Sequence, residues 1–102
     1  MRERLTPRTA EKKLAEAGGA RFVSIFRHGS LELEYYRPDG TDPQQPHTRD
    51  EVYFVISGNG FFVIDGERQP FGPGEVLLVP KGVPHHFEDF STDFATWAIF
   101  AD

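Results

Sequence analysis

Gly74-Glu75-Val76-Leu77-Leu78-Val79-Pro80-Lys81-Gly82-Val83-Pro84-His85-His86-Phe87-Glu88-Asp89 is the stretch on which the fold turns. Glu75 to Val79 is an apolar, β-branched run that reads as a strand. Pro80-Lys81-Gly82 reads as a turn, and His85 to Phe90 as a second strand. Side chains alternate across a strand, so His85 and Phe87 share one face and His86 takes the other. A second histidine segment lies upstream, Gln45-Pro46-His47-Thr48-Arg49-Asp50-Glu51, where it opens an apolar strand that runs to Ser57. Three of the four histidines thus sit in two short segments at strand ends. They converge only if the sheet folds back on itself, as in a barrel.

The flanking sequence agrees. Phe22 to Phe26 is an apolar strand, and His28-Gly29-Ser30 is a turn. In the next strand Leu31, Leu33 and Tyr35 alternate with Glu32, Glu34 and Tyr36, the pattern of a strand with one buried face. Residues 38–50 are polar and turn-rich with three prolines, a long loop of the kind that often serves function. Gly58-Asn59-Gly60 turns the chain into Phe61 to Ile64, and Asp65-Gly66 is a strong hairpin signal before a short strand at 67–71. Phe94 to Phe100 is the last strand. Eight or nine short strands with frequent turns predict a sandwich or small barrel. Ahead of them, Thr6-Pro7 is a helix opening, Ala10, Leu14 and Ala17 fall at helical spacing, and Gly18-Gly19 ends the run. The expected organisation is an N-terminal arm and helix over 1–20, with the helix at 7–17, and a barrel over 21–102.

Composition narrows the chemistry. A chain of 102 residues is one domain, able to bury roughly 60–65% of its unfolded surface. It has no cysteine, which excludes a disulfide framework, a zinc finger, an iron–sulfur site and a thiol nucleophile. Any metal must be held by nitrogen and oxygen. Ten glycines and eight prolines are spread along the chain, as short elements joined by tight turns require. The net charge of −5 is uneven: residues 1–13 carry +3 and the remainder −8. An acidic body repels phosphate backbones, so nucleic acid is not an expected partner. The basic arm reads as a solvated helix face. No apolar run approaches the roughly 18 residues of a membrane span, and the first residues lack the apolar stretch of a signal peptide. The expectation is a cytoplasmic protein with no membrane partner.

The two histidine segments resemble the two motifs of the cupin family. Gly40, His47, Glu51 and Gly58 follow the first motif: a glycine, a short spacer, a two-histidine stretch, a glutamate four residues after the second histidine, and a glycine seven residues later. Gly74, Pro80, Gly82 and His85 follow the second. The chain looks like a small single-domain cupin of the conserved-barrel type, spanning residues 40–89 in its motifs. The resemblance implies an all-β fold, a double-stranded β-helix or jelly-roll barrel with a short N-terminal helix. It also implies a divalent transition metal held by Gln45, His47, Glu51 and His85. Two positions depart from the pattern. Gln45 stands where the first histidine of the pair is usual, and Asp89 where an asparagine often closes the second motif. Two imidazoles and a carboxylate suit iron, manganese, zinc or nickel, and leave positions open for substrate. A glutamine amide in place of an imidazole shifts preference toward harder ions such as manganese or iron. Glutamine 45 either ligates directly or hydrogen-bonds a metal-bound water.

Alternation then assigns the pocket. Tyr53 and Val55 share the face of Glu51, and Phe87 that of His85, so these three border the expected site. Tyr53 is the candidate proton or hydrogen-bond donor to substrate. Asp89 is placed on the face of His85, where it either orients a ligand or is a plain exposed aspartate. His86 and His28 read as structural or exposed. Val52, Phe54 and Ile56, on the other face of their strand, are also apolar and need a second cover, from the same chain or from a partner; the expectation is a homodimer.

Fold alone gives no reaction. One reading is a metal-dependent enzyme on a small organic substrate, of dioxygenase, isomerase or lyase type. The alternatives are a non-enzymatic small-molecule binding or sensing cupin, and a degenerate cupin that keeps the barrel without a metal. Glutamine 45 favours the last; His47, Glu51 and His85 together oppose it.

Overall fold

The computed structural model describes residues 4–42 and 47–102. Gln45 therefore lies outside the described residues. Helix α1 (Pro7–Glu16) is followed by eight strands: β1 (Phe22–His28), β2 (Leu31–Tyr36), β3 (Asp50–Ser57), β4 (Gly60–Ile64), β5 (Glu67–Phe71), β6 (Val76–Val79), β7 (His85–Glu88) and β8 (Ala95–Ala101). The strands form two antiparallel sheets, one ordered β1-β2-β8-β3-β6 and the other β5-β4-β7. This is the all-β jelly roll with a short helix that the sequence predicts.

The helix forms where the capping signals place it. Thr6 Oγ1 accepts from the Thr9 amide at 3.2 Å, and Thr9 Oγ1 accepts from the Thr6 amide at 3.1 Å. This reciprocal pair satisfies two backbone donors that a helix start leaves open, while Pro7 has no amide hydrogen to satisfy. The helix buries Ala10 and Leu14 against Tyr35 and Ala95, on the outer face of the larger sheet. Tyr35 donates its hydroxyl to the Glu11 carboxylate at 2.6 Å, and Arg37 pairs with the same carboxylate at 2.8 Å.

Between the sheets lies the main core: Tyr36, Tyr53, Val55, Phe62, Phe71, Val79, Phe87, Phe94, Ala98 and Phe100. The aromatic rings meet edge-on or tilted, as Phe87 does with Tyr53 at 4.8 Å and with Phe94 at 4.7 Å, the arrangement their quadrupoles favour. Gly58 makes one close approach possible. Its φ is +85°, and a Cβ there would stand 2.5 Å from the Phe94 Cα.

Two expectations need correction. The alternation in β2 is present, but its two sides are covered differently from the single buried apolar face it suggests. Tyr35 packs under α1, whereas Glu32 and Tyr36 are buried toward the interior and Leu31 is exposed. Strand β7 stops at Glu88 because Asp89 adopts a positive φ of 50°. The Asp89 side chain turns outward to Arg68 Nη2 at 2.7 Å and does not share the His85 face.

Candidate metal centre

Backbone contacts draw the two histidine segments together. The Gly82 amide donates to the His47 carbonyl at 2.7 Å, and the Lys81 amide donates to Asp50 Oδ1 at 2.9 Å. The turn ahead of β7 is thereby tied to the entry of β3. Gly82 takes φ +80°, a conformation that favours glycine. Glu51 then faces inward from β3 and His85 from β7.

His47, Glu51 and His85 bring one ligand atom each within 4.8 Å of one another. Glu51 Oε1 lies 3.3 Å from His47 Nε2 and 3.2 Å from His85 Nε2. Glu51 and His85 are buried, whereas His47 keeps partial access to solvent. Neither Glu51 Oε1 nor His85 Nε2 has a hydrogen-bond partner of good geometry. Two buried polar atoms in that state are costly, and a shared cation would satisfy both. The tautomer agrees. His85 Nδ1 lies 3.0 Å from the Val83 carbonyl and donates to it, which leaves the Nε2 lone pair facing the cluster. Burial works against charge on His85, but the Glu51 carboxylate and the Val83 carbonyl outweigh it, and its pKa stands above the ordinary histidine value. Three donors, two imidazole nitrogens and a carboxylate oxygen, fit a divalent transition metal. Gln45, the fourth residue implied by the motif, lies outside the described residues.

A cavity of about 250 Å³ opens beside the cluster, lined by Phe22, Glu34, Tyr36, His47, Arg49, Glu51, Ala98 and Phe100. Val55 and Phe87 share the faces of Glu51 and His85 as alternation requires, but they lie in the core and do not line the cavity. Tyr53 is fully buried, its ring 6.0 Å from that of His85 and 5.9 Å from that of Phe62, and it does not line the cavity either. A molecule in the cavity meets Glu34 and Tyr36 before it meets Tyr53. His86 points outward to Glu88 at 3.0 Å, and His28 is exposed.

The residues that sequence reasoning missed come from β2 and from Arg49. Arg49 Nη1 pairs with Glu32 Oε1 at 3.0 Å, and its guanidinium lies 4.6 Å from the Phe100 ring centroid. Phe100 in turn meets the His47 ring edge-on at 5.2 Å. Glu32 also accepts from Ser24 at 3.1 Å and from Arg27 at 3.0 Å. Burial alone would raise its pKa, but the bonds from Arg49, Ser24 and Arg27 hold it below the usual carboxylate value. Glu34 is the opposite case. Burial, then the charges of Glu32 and Glu51, push its pKa up to about 7. Tyr36 donates to Asp42, whose other oxygen accepts from the Phe87 amide at 2.7 Å. The signal that could have found Glu32 and Glu34 is the pair itself, two glutamates on one face of a strand inside a small barrel.

Known proteins add the following. A cupin domain family model matches residues 32–98. An uncharacterized protein of Streptomyces coelicolor is 34% identical over 93 residues, covering 89% of this chain and 88% of its own length. Acireductone dioxygenase of Bacillus subtilis is 44% identical over 46 residues, which is 40% of this chain and 26% of the dioxygenase. Among solved structures, a cupin 2 conserved barrel domain protein from Salinispora arenicola superposes with a TM-score of 0.74 at 20% identity, covering 100% of this chain and 89% of its own. KdgF from Halomonas sp. superposes with a TM-score of 0.70 at 16% identity, covering 78% and 76%. At these identities the structural matches speak to the fold.

Proposed function

The chain belongs to the cupin family, and we propose that it holds a divalent transition metal through His47, Glu51 and His85 and acts as a metal-dependent enzyme on a small organic substrate. The observation that carries this reading is the pair of buried, unsatisfied atoms Glu51 Oε1 and His85 Nε2, converging with His47 at the wall of a cavity. A degenerate barrel would gain stability by filling that position with apolar side chains. Among the enzyme types, the dioxygenase reading has support from the similarity to acireductone dioxygenase, although the match covers about a quarter of that enzyme. Iron, manganese, zinc and nickel all suit the donor set, and such an ion supplies Lewis acidity or access to oxygen chemistry.

The chain's own residues divide the remaining tasks. Val83 fixes the His85 tautomer. Phe100 supports the rings and the guanidinium beside the cluster, and the aromatic core behind it keeps water from the buried side. The test is elemental analysis of untagged protein reconstituted with each ion, followed by oxygen uptake with small enediols and keto acids. Filling near one ion per chain supports the reading. Less than about 0.1 per chain removes it, since a formed site with adequate ligands fills.

The protein is also proposed to be a homodimer. Phe54, Val76 and Leu78 are 46%, 59% and 61% exposed on the outer face of the larger sheet. The register Val52↔Leu78 and Phe54↔Val76 makes them one continuous apolar patch at the β6 edge. A second copy could cover such a patch with the same patch about a two-fold axis. Light scattering of the wild type and of Leu78→Glu decides it: the expected masses are those of dimer and monomer, and a monomeric wild type at about 100 μM sinks the proposal.

A further inference from the structure

The cavity beside the His47–Glu51–His85 cluster is also lined by Glu34, whose strand neighbour on the same face, Glu32, is buried behind it. Glu32, Phe100 and Glu51 stand in one row across β2, β8 and β3, and Glu34, Ala98 and Tyr53 in the next. Ala98 is the small residue of its row, and the space above it is part of the cavity floor. Glu34 lines this space, with its carboxyl within hydrogen-bonding reach of Glu32. Two adjacent carboxyl groups do not both ionise readily. Here the surroundings decide which one keeps the proton. Glu32 takes Arg49, Arg27 and Ser24, whereas Glu34 is only in the field of Arg49, with no ion pair among the described contacts. Two carboxyl groups driven apart in this way form a neutral acid and a fixed carboxylate beside it.

We propose that Glu34 is the proton donor of the cavity: its carboxyl O–H bonds to, and can pass to, an anionic oxygen of a ligand held at the His47–Glu51–His85 cluster. The site would then select small oxygen acids, enediols or hydroxy acids, which bind the cluster through one oxygen and present a second toward β2. In the transfer, the Glu34 O–H bond breaks, an O–H bond forms on the ligand oxygen, and the carboxylate left behind lies near Arg49. Glu32 already accepts from three other side chains, so it loses little when the Glu34 hydrogen turns to the ligand.

The charged and titratable groups around Glu34 are few. Strand β2 itself contributes Glu32 and Tyr36. Beyond β1, where Ser24 is the paired residue, Arg27 reaches Glu32. Strand β8 contributes none, and β3 with its approach contributes His47, Arg49 and Glu51. A cation at the cluster offsets Glu51, while burial and Glu32 remain and favour the neutral carboxyl.

This inference rests on the metal reading, so its test is done on zinc-loaded protein whose zinc content is measured in each sample. The probe is 4-nitrocatechol, which has two adjacent oxygens and a colour that reports its ionisation. Glu34→Gln keeps the size and a hydrogen donor but never ionises. The ratio of wild-type to variant affinity cancels the probe's own titration. It should be near one at pH 6 and fall by about tenfold by pH 8, as the wild-type carboxyl loses its proton and repels the probe. Glu34→Ala, as a second variant, should bind about tenfold more weakly than wild type at pH 6, having lost the donor. A pH-independent ratio together with an unimpaired Glu34→Ala overturns the proposal while leaving the metal site intact. A wild type that takes no zinc overturns the metal reading, and this proposal with it.

Discussion

His85 Nε2 and Glu51 Oε1 face each other across 3.2 Å of buried space without completing a hydrogen bond. The imidazole is oriented from behind by Val83, and the carboxylate by its place at the start of β3. Each is positioned by its own strand, and both aim at a common point that His47 closes from the solvent side. Most of the behaviour expected of this protein follows from that arrangement.

Removing a donor should empty the centre while sparing the barrel. His47→Ala and His85→Ala are each expected to weaken zinc or manganese binding by at least 10–100-fold, measured by calorimetric titration, with the circular dichroism of the β fold retained. Acid should have the same effect on wild type. The His85 pKa is raised, so protons compete with the metal from above the ordinary histidine range downward. Affinity that stays constant from pH 8 to pH 5 would contradict the ligand assignment.

Glu51 carries the opposite trade. Without a metal its buried carboxylate is poorly compensated, so Glu51→Leu should stabilise the metal-free protein by about 1–3 kcal/mol while abolishing metal binding. Urea denaturation with and without metal measures both. A destabilised, metal-free Glu51→Leu would mean that the carboxylate is structural.

Glu34 sets a pH dependence of stability. Its pKa is raised from 4.5 to about 7 in the folded chain, so folding favours the protonated form. The unfolded chain ionises first, and the folded state therefore loses stability as the pH rises from about 4.5 to about 7 and levels off above that. After discounting for solvent around a half-exposed carboxyl, the loss is about 1–2 kcal/mol. Glu34→Gln should remove it, making the variant more stable than wild type at pH 8 and equal to it near pH 4. Parallel denaturation curves at the two pH values decide the matter.

Gly58 tests the packing between the sheet ends. An alanine there must hold φ near +85° and place its Cβ 2.5 Å from the Phe94 Cα. The expected cost is about 2–4 kcal/mol, or failure to fold. Gly66, also at positive φ but with open space around it, is the control, and its alanine variant should lose about 1 kcal/mol. Equal melting temperatures for the two variants would show that backbone strain alone, not the contact with Phe94, sets the cost.

Local patterns in the sequence were enough for the strands and the turns. Alternation, the Asp65-Gly66 hairpin and the capped helix at Thr6 depend on neighbours a few residues away, and every strand appears within a residue or two of its expected place. The resemblance to the cupin motifs pointed to His47, Glu51 and His85, and the folded chain brings these three together. Other features depend on what lies across the fold. Alternation says that the two sides of β2 differ, but not which of them meets the opposite sheet; only the tertiary structure puts Glu32 and Glu34 inside with Arg49, and Tyr35 under the helix. Asp89 turns away because a single backbone angle ends its strand and Arg68 attracts its charge. Tyr53, Val55 and Phe87 are on the faces that alternation assigns and sit in the core behind the cavity lined by Glu34 and Glu51, since a strand's periodicity fixes direction and not depth. Chemistry carried by residue type and local spacing was thus set by the sequence, whereas burial, and the protonation that follows from it, was decided by which surfaces the folded chain brings into contact.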